Sequence, residues 1–231
     1  MRHYIEGDAL YADLREDIAA AGSTIRLESY IFADDEAGEP ILDLLASAAA
    51  RGVLVRLRID PVGSWGMLSS ARLAALRSAG VQLHWSRPWS WRRPWAFHRR
   101  NHRKLVVVDD TAAYLGGFNI HRDSSAAAIG PGRWRDTHLR FQGELVQDAI
   151  RHFDAFPRAP WPPATHSGRQ LVPNSNRRCR HVLHCEFTDA FREARHRIWL
   201  TTPYFVPDQR SQAALRDAAR RGLDVRLLVP G

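Results

Sequence analysis

Lysine is nearly absent from this 231-residue chain: of 33 basic residues, Lys104 is the single lysine and the rest are arginine. Arginine has taken almost every basic position. A site that keeps lysine therefore calls for a compact ammonium rather than a planar fork. Cysteine is scarce too, with only Cys179 and Cys185, which excludes a disulfide scaffold and makes a reducing compartment the expectation. Long apolar runs are missing: stretches such as 105–108 fall far short of the 18 or so residues that cross a bilayer, and the N-terminal residues hold no apolar signal core. A transmembrane or exported chain is not expected. No acidic residue occurs between Trp85 and Lys104.

What is present is an ordinary globular composition, 45% hydrophobic and 25% charged, with a formal charge of +8. That excess points to an anionic partner, nucleic acid or acidic lipid. Apolar and β-branched runs at 24–32, 53–59, 81–85, 105–108 and 112–115 predict strands, and a further strand is expected over 134–141. Helical patterns lie between them: one opens at Pro40 and ends before Gly52, a second spans 68–79, and a third spans 144–156. Alternating strands and helices predict an α/β fold, a mixed, largely parallel sheet flanked by helices.

Residues 157–178 change character, with five prolines among Ser, Asn, Gly and Arg. The chain therefore divides into a first unit over 1–157, a linker over 158–178 and a second unit over 179–231. The second unit repeats the opening of the first. IRLESYIF, a helix and RGVLVRLRID are answered by IWLTTPYFVPD, a helix and RGLDVRLLVPG, with offsets of 173 and 170 residues.

Chemistry concentrates in one pattern: His102, Lys104, Asp109 and then Gly116-Gly117-Phe118-Asn119, or HxK, x4, D, x6, GGxN. Strand alternation places His102 and Lys104 on one side. The two glycines permit a close backbone approach, and the Asn119 amide can bond an acceptor. A nucleophile, a cation and a carboxylate on adjacent strand ends suit attack on a phosphodiester. Glu28, Tyr30 and Tyr204 stand at matching places in the two repeats and are candidates for lining the site, with Asp136 and His121 behind them. Cys179, His181, His184 and Cys185 have no tetrahedral metal spacing and are read as a strand with incidental polar residues.

These strings resemble the phospholipase D superfamily, and within it the cardiolipin synthase branch, with the soluble cardiolipin synthase B-like group the nearest in pattern. The resemblance rests on ESYIF, RGVLVRLRIDPVGS, HRKLVVVDDTAAYLGGFNI, WRDTHLRFQG and TTPYFVP. It implies that His102 attacks phosphorus to form a phosphohistidine, that Lys104, Asn119 and Gly117 border the phosphoryl oxygens, and that Asp109 orients or balances them. It implies no metal or organic cofactor. The implied donor and acceptor are phosphatidylglycerol molecules, which suits a cytoplasmic protein peripheral to a membrane.

Relatives of this type build one site from two HxK motifs, and here the repeat offset would place the second histidine near 272–275, past Gly231. The expectation is that residues 1–231 hold half of such a site and transfer phosphatidyl groups poorly or not at all by themselves. A homodimeric phosphodiesterase or nuclease, or an inactive remnant, is the alternative, and a symmetric dimer is not favoured because the second unit would occupy the surface it needs. Trp89, Trp91, Arg92, Arg93 and Trp95 form the expected contact with anionic lipid, since tryptophan settles at headgroup level and arginine attracts acidic headgroups. Single-stranded nucleic acid is the second choice of partner.

Overall fold

The computed structural model describes residues 1–89, 91–92, 100–158, 165–166, 168–174 and 177–229, the side chains of 178 and 179 excepted. Two compact units result, Met1–Leu171 and Val172–Gly231.

In the first unit the elements run β1 (Arg2–Tyr4), α1 (Gly7–Ala20), β2 (Thr24–Ser29), α2 (Glu39–Ala50), β3 (Leu54–Ile59), α3 (Ser70–Ser78), β4 (Gln82–Trp85), β5 (Leu105–Val108) and β6 (Ala112–Gly116). They continue with the short α4 (Ala126–Ile129), β7 (His138–Gln142), α5 (Glu144–Asp154) and a small hairpin, β8 (Thr165–His166) and β9 (Arg169–Gln170). Seven strands form one sheet in the order β1-β7-β6-β5-β2-β3-β4. β2, β3 and β4 are parallel neighbours, whereas β5 and β7 run against the other five. The sheet is thus mixed and largely parallel in strand direction, as the alternation of elements predicts.

Sequence dictates the layers. Leu10, Leu14 and Ile18 recur every fourth residue along α1, and Ile41, Leu45 and Ala48 line one face of α2; together they cover Ile25, Leu27, Val55, Leu57 and Ile59 of the sheet. On the opposite face α5 sets Leu145, Val146, Ala149 and Phe153 against Leu105, Val107 and Phe141. β5 divides its side chains between the layers, Val106 and Val108 on one and Leu105 and Val107 on the other. Pro40 opens α2 as expected, and the Ser69 hydroxyl accepts from the Arg72 N–H to cap α3.

β2 is buried along nearly its whole length, and with it a carboxylate. Glu28, on the α5 side of the sheet, accepts from Arg58 Nη1 at 2.9 Å, Arg103 Nε at 2.7 Å and Asn101 Nδ2 at 2.6 Å. Arg58 in turn lies 4.2 Å above the Phe153 ring and donates to the Phe153 carbonyl.

The second unit consists of α6 (Arg177–Glu193), β10 (Arg197–Thr201), α7 (Gln209–Arg220) and β11 (Asp224–Leu228). β10 and β11 pair in parallel and start 173 and 170 residues beyond the first residues of β2 and β3, the offsets read from the sequence. Ile198, Leu215 and Ala218 form its buried core.

Two expectations are corrected and one omission is filled. Residues 179–185 lie in α6, a helix rather than a strand: Phe187 and Phe191, four apart, sit as neighbours on one helical face, their ring centroids 6.4 Å apart and tilted. The strand expected from Trp134 begins only at His138, because the Trp134 N–H is bonded to the Asp123 carbonyl and Arg133 is held by Glu6 rather than by a neighbouring strand. β1 and α1, which the sequence reading did not assign, contribute the edge strand and a main covering helix.

Truncating Glu28 would leave the Arg58 and Arg103 guanidiniums half-buried without their shared anion. Glu28→Ala is expected to cost about 3–5 kcal/mol in urea unfolding. A loss below about 1 kcal/mol would mean that the two arginines find equivalent partners elsewhere.

Candidate active site at the sheet rim

β2, β3 and β4 end, and β5 begins, on the same rim of the sheet, so the segments 30–38 and 60–69, the described residues 86–89 and 100–104, and the segment 117–137 meet there. The approach to β5 is held by two carboxylates. Asp60, fully buried just past β3, accepts from the Val62 and Gly63 N–H groups, the Ser86 hydroxyl and, at 3.1 Å, the Asn101 N–H. Arg100 Nη1 lies 3.7 Å from the same carboxylate. Glu28 holds the Asn101 side chain and Arg103. With Asn101 and Arg103 drawn to the α5 side, the intervening His102 and the following Lys104 face the other way.

There they meet Tyr30. The Tyr30 and His102 rings stack with centroids 3.8 Å apart and planes 21° apart, and the Lys104 ammonium lies 5.4 Å from the Tyr30 centroid. Lys104 Nζ donates to the His102 carbonyl at 2.7 Å. Asn119 joins through the backbone: its Oδ1 accepts from the Ile31 N–H at 3.0 Å, which leaves its NH2 as the group to offer a ligand, and its carbonyl accepts from the Tyr11 hydroxyl. The structure therefore brings His102, Lys104, Tyr30 and Asn119 together.

The glycine pair has a steric cause. A Cβ on Gly116 would lie 2.4 Å from the Thr137 carbonyl oxygen and 2.5 Å from the His138 Cα, and one on Gly117 would overlap the Asp136 carboxylate at 2.0 Å. Gly116 thus admits the start of β7, and Gly117 admits the Asp136 carboxylate. Asp136 is the anion facing Lys104. Behind Lys104 a cavity of about 20 Å³, room for one water, is lined by Ser29, Tyr11, Phe118 and His138. His138 is buried and its Nδ1 has no protein partner.

Electrostatics follow from these positions. Burial, reinforced by the Lys104 charge and opposed by Asp60, lowers the His102 pKa and keeps the imidazole neutral. Burial pulls the Lys104 ammonium down to about 8 against the attraction of Asp136. His138, buried and beside Lys104, falls to about 3.

Other expected residues are placed elsewhere. Asp109 lies at the far end of β5, about 16 Å along the strand from Lys104. Its carboxylate accepts from the N–H groups of Gly22, Ser23 and Thr24 and from the Ser23 hydroxyl, and these bonds lower its pKa although burial opposes them. It fastens the start of β2 to the β5–β6 turn, where its own φ is 49°, and does not reach His102. Glu28 is turned to the α5 side, its oxygens engaged by Arg58, Arg103 and Asn101, and does not face the substrate side. Tyr204 belongs to the second unit, exposed just after β10. Trp89, Trp91 and Arg92 are exposed; Arg93 and Trp95 lie outside the described residues. His121 is buried, with the Trp134 ring edge-on at 5.2 Å. Among the described residues no cluster of metal-ligating side chains occurs; Cys185 instead contacts His181 one helical turn away.

Asp60, Asn101 and His138 were missed from the sequence. Only Asp60 carried a signal, an aspartate closing a strand before Pro61, where its side chain caps the turn.

The sheet order and the rim site define a phospholipase D-like α/β fold. The profile described as "Cardiolipin synthase, PLD-like domain" matches residues 14–130 and 187–231, and the chain belongs to that family. Cardiolipin synthase A of Pseudomonas aeruginosa (strain LESB58) is 33% identical over 246 residues, covering 100% of this chain and 49% of its own length. Cardiolipin synthase of Geobacillus sp. (strain WCH70) is 34% identical over 243 residues, 97% of this chain and 48% of its own. The chain spans about half the length of the curated relatives it matches. Among solved structures, phosphatidylserine synthase of Haemophilus influenzae Rd KW20 has a TM-score of 0.70 at 15% identity over 99% of this chain and 61% of its own. Polyphosphate kinase from Porphyromonas gingivalis gives 0.64 at 20% identity over 100% and 38%. These two likenesses concern the fold.

No described helix is long and apolar enough to cross a membrane.

Asp109→Ala is expected to lower stability by about 1–2 kcal/mol in urea unfolding, through unpaired donors at the start of β2. The reactivity of His102 should not change beyond twofold in the folded protein. A large loss of reactivity with unchanged stability would return Asp109 to the site.

Proposed function

We propose that the chain performs phosphatidyl transfer of the cardiolipin synthase kind, with His102 as nucleophile. The observation that carries this reading is the shared orientation of His102 and Lys104 beside Asn119, with the intervening Arg103 withdrawn by Glu28. The neutral imidazole attacks the phosphorus of a phosphatidylglycerol, a P–N bond forms, and the P–O bond to the departing glycerol breaks. Lys104 and the Asn119 NH2 stabilise the charge on the equatorial oxygens. The hydroxyl of a second phosphatidylglycerol then attacks phosphorus, a P–O bond forms as the P–N bond breaks, the hydroxyl proton passes to solvent, and the imidazole is released neutral. Tyr30, stacked on His102, holds the ring against rotation.

The departing alkoxide requires a proton. Among the described residues, no second histidine is placed against His102 to supply it, and the chain has one HxK motif. The first half-reaction should therefore be slow for an alcohol and fast for a leaving group that needs no proton, such as p-nitrophenolate. Phosphatidylglycerol labelled at its phosphatidyl phosphorus, dispersed in detergent and quenched in base, should leave label on His102 that is lost in acid. His102→Ala should abolish it. Label on another residue, or none after prolonged incubation, sinks the covalent reading.

A pH dependence follows. The nucleophile is lost as pH falls through the lowered His102 pKa, so the acid limb of kcat/KM with a p-nitrophenyl phosphodiester should lie below 6.5, the ordinary imidazole value. The ammonium is lost as pH rises, which places the alkaline limb at about 8. Lys104→Arg, charged throughout, should remove the alkaline limb while lowering the plateau at least tenfold. An alkaline limb that persists in this variant would assign it to another group.

A further inference from the structure

The apolar side chains left in solvent are not spread evenly over the first unit. Among its described residues, the exposed large hydrophobics are Met1, Ile5, Leu54, Val62, Trp65, Met67, Trp89, Trp91, Ile129 and Trp134. All except Met1 and Leu54 lie on segments that emerge at the rim bearing His102: after β1, after β3, after β4, and between β6 and β7. Exposed single hydrophobics are ordinary on any surface, whereas a set confined to one rim marks an interaction face.

The residues also flank the site on both sides. Trp65, 82% exposed, and Met67 belong to the segment after β3. That segment is fixed directly to the site: the Ser64 hydroxyl donates to the Tyr30 carbonyl, and a Cβ on Gly63 would lie 2.3 Å from the same oxygen. On the other flank, Trp134 is 58% exposed and its N–H bonds to the Asp123 carbonyl, so its backbone is anchored while its ring remains outside. Neither tryptophan is a loose tail. Each stands on a rigid support beside the stacked Tyr30 and His102 rings.

Charge at this rim favours an anionic partner. Its acidic side chains are largely engaged: Glu6 by Arg133 and Arg135, Asp34 by Arg72, and Glu36 by Arg122. The segment from Trp85 to Lys104 has arginine and tryptophan without a single carboxylate, in a chain of formal charge +8. Exposed indoles beside an arginine-rich segment that carries no carboxylate match the headgroup zone of an anionic bilayer.

We propose that the rim formed by the 61–67 and 129–134 segments, together with Trp89 and Trp91, docks on an anionic phospholipid surface and seats the His102 site at headgroup depth. The choice of lipid over another anionic partner rests on the phosphatidyl-transfer reading above. Trp65 and Met67 enter the interface on one flank, and Trp134 and Ile129 on the other. Tyr30 and His102, between them, face the phosphodiester layer.

Flotation of the full chain with phosphatidylcholine vesicles containing 30% phosphatidylglycerol tests this. Binding is expected, with quenching of tryptophan fluorescence by brominated acyl chains, and weak binding to pure phosphatidylcholine. The double variant Trp65→Ser, Met67→Ser should bind at least tenfold less, whereas Leu54→Ser, on the opposite rim, should bind as the parent does. The double variant should still acquire label on His102 from detergent-dispersed phosphatidylglycerol. Absent vesicle binding, or equal binding by the parent and the double variant, overturns the proposal. So does light scattering that shows the double variant dissociating a dimer while vesicle binding persists.

If the double variant loses both label and binding, Trp134→Ser decides: label kept with binding lost supports the surface, and binding kept overturns it. Parent protein that binds vesicles in this pattern but never acquires label would refute the transfer chemistry and leave the docking surface standing.

Discussion

Glu28 is wholly buried, and its two oxygens are divided among Arg58, Arg103 and Asn101. Asn101 and Arg103, just ahead of β5, are drawn to the layer of Glu28, and His102 and Lys104 stand on the other, against Tyr30. The geometry at the rim depends on that division. Without the anion, Arg103 would have to find water or rotate outward, and the HxK segment would lose its handedness. A single buried carboxylate thus acts on the site from the opposite layer of the sheet. It does so by holding the backbone rather than by touching a substrate.

Asp60 supplies the second constraint. Its carboxylate accepts from the turn after β3, from Ser86 after β4 and from Asn101 before β5, so three segments separated in sequence converge on one buried group. The same turn carries Gly63 and Ser64, which fix Tyr30, and Trp65, which is left in solvent. Positioning of the imidazole and presentation of the indole are therefore two consequences of one hydrogen-bonded hub. Such a hub suits a fold in which the chemistry sits on connecting segments, because those segments have no ladder bonds of their own to hold them.

Lowered pKa values tell a consistent story about this rim. His102 is held neutral by partial burial and by the neighbouring ammonium, which is the form a nucleophile needs. Lys104, the only lysine, is itself drawn toward neutrality by burial and kept charged chiefly by Asp136. Arginine would be charged regardless, and would present a planar fork where Lys104 presents a compact ammonium to the Tyr30 ring and the His102 carbonyl. The scarcity of lysine in the composition and the geometry around Nζ thus describe the same requirement.

Much of this was legible in one dimension. The strand and helix runs, the 173- and 170-residue offsets of the repeat, and the HxK and GGxN spacings stand in the sequence because periodicity and glycine chemistry are local properties. Residues 179–185 were misread because a short run of alternating apolar and polar residues fits either period, and the helix emerges only from the longer Arg177–Glu193 span. Glu28 and Asp109 were misplaced for a different reason. β2 alternates Arg26 and Glu28 with Ile25 and Leu27, and carrying that alternation on to Tyr30 put Glu28 and Tyr30 on one side, whereas the strand ends at Ser29 and Tyr30 turns to the other layer. Asp109 is near Lys104 in number yet a strand length away in space. The sequence by itself determined that His102, Lys104 and Asn119 share one spaced motif and where the central strands β2 to β6 would lie. Only the tertiary structure decided which carboxylates hold the site and which merely share its motif, because a hydrogen bond between Glu28 and Arg103, or between Asp60 and Asn101, depends on how distant strands lie side by side.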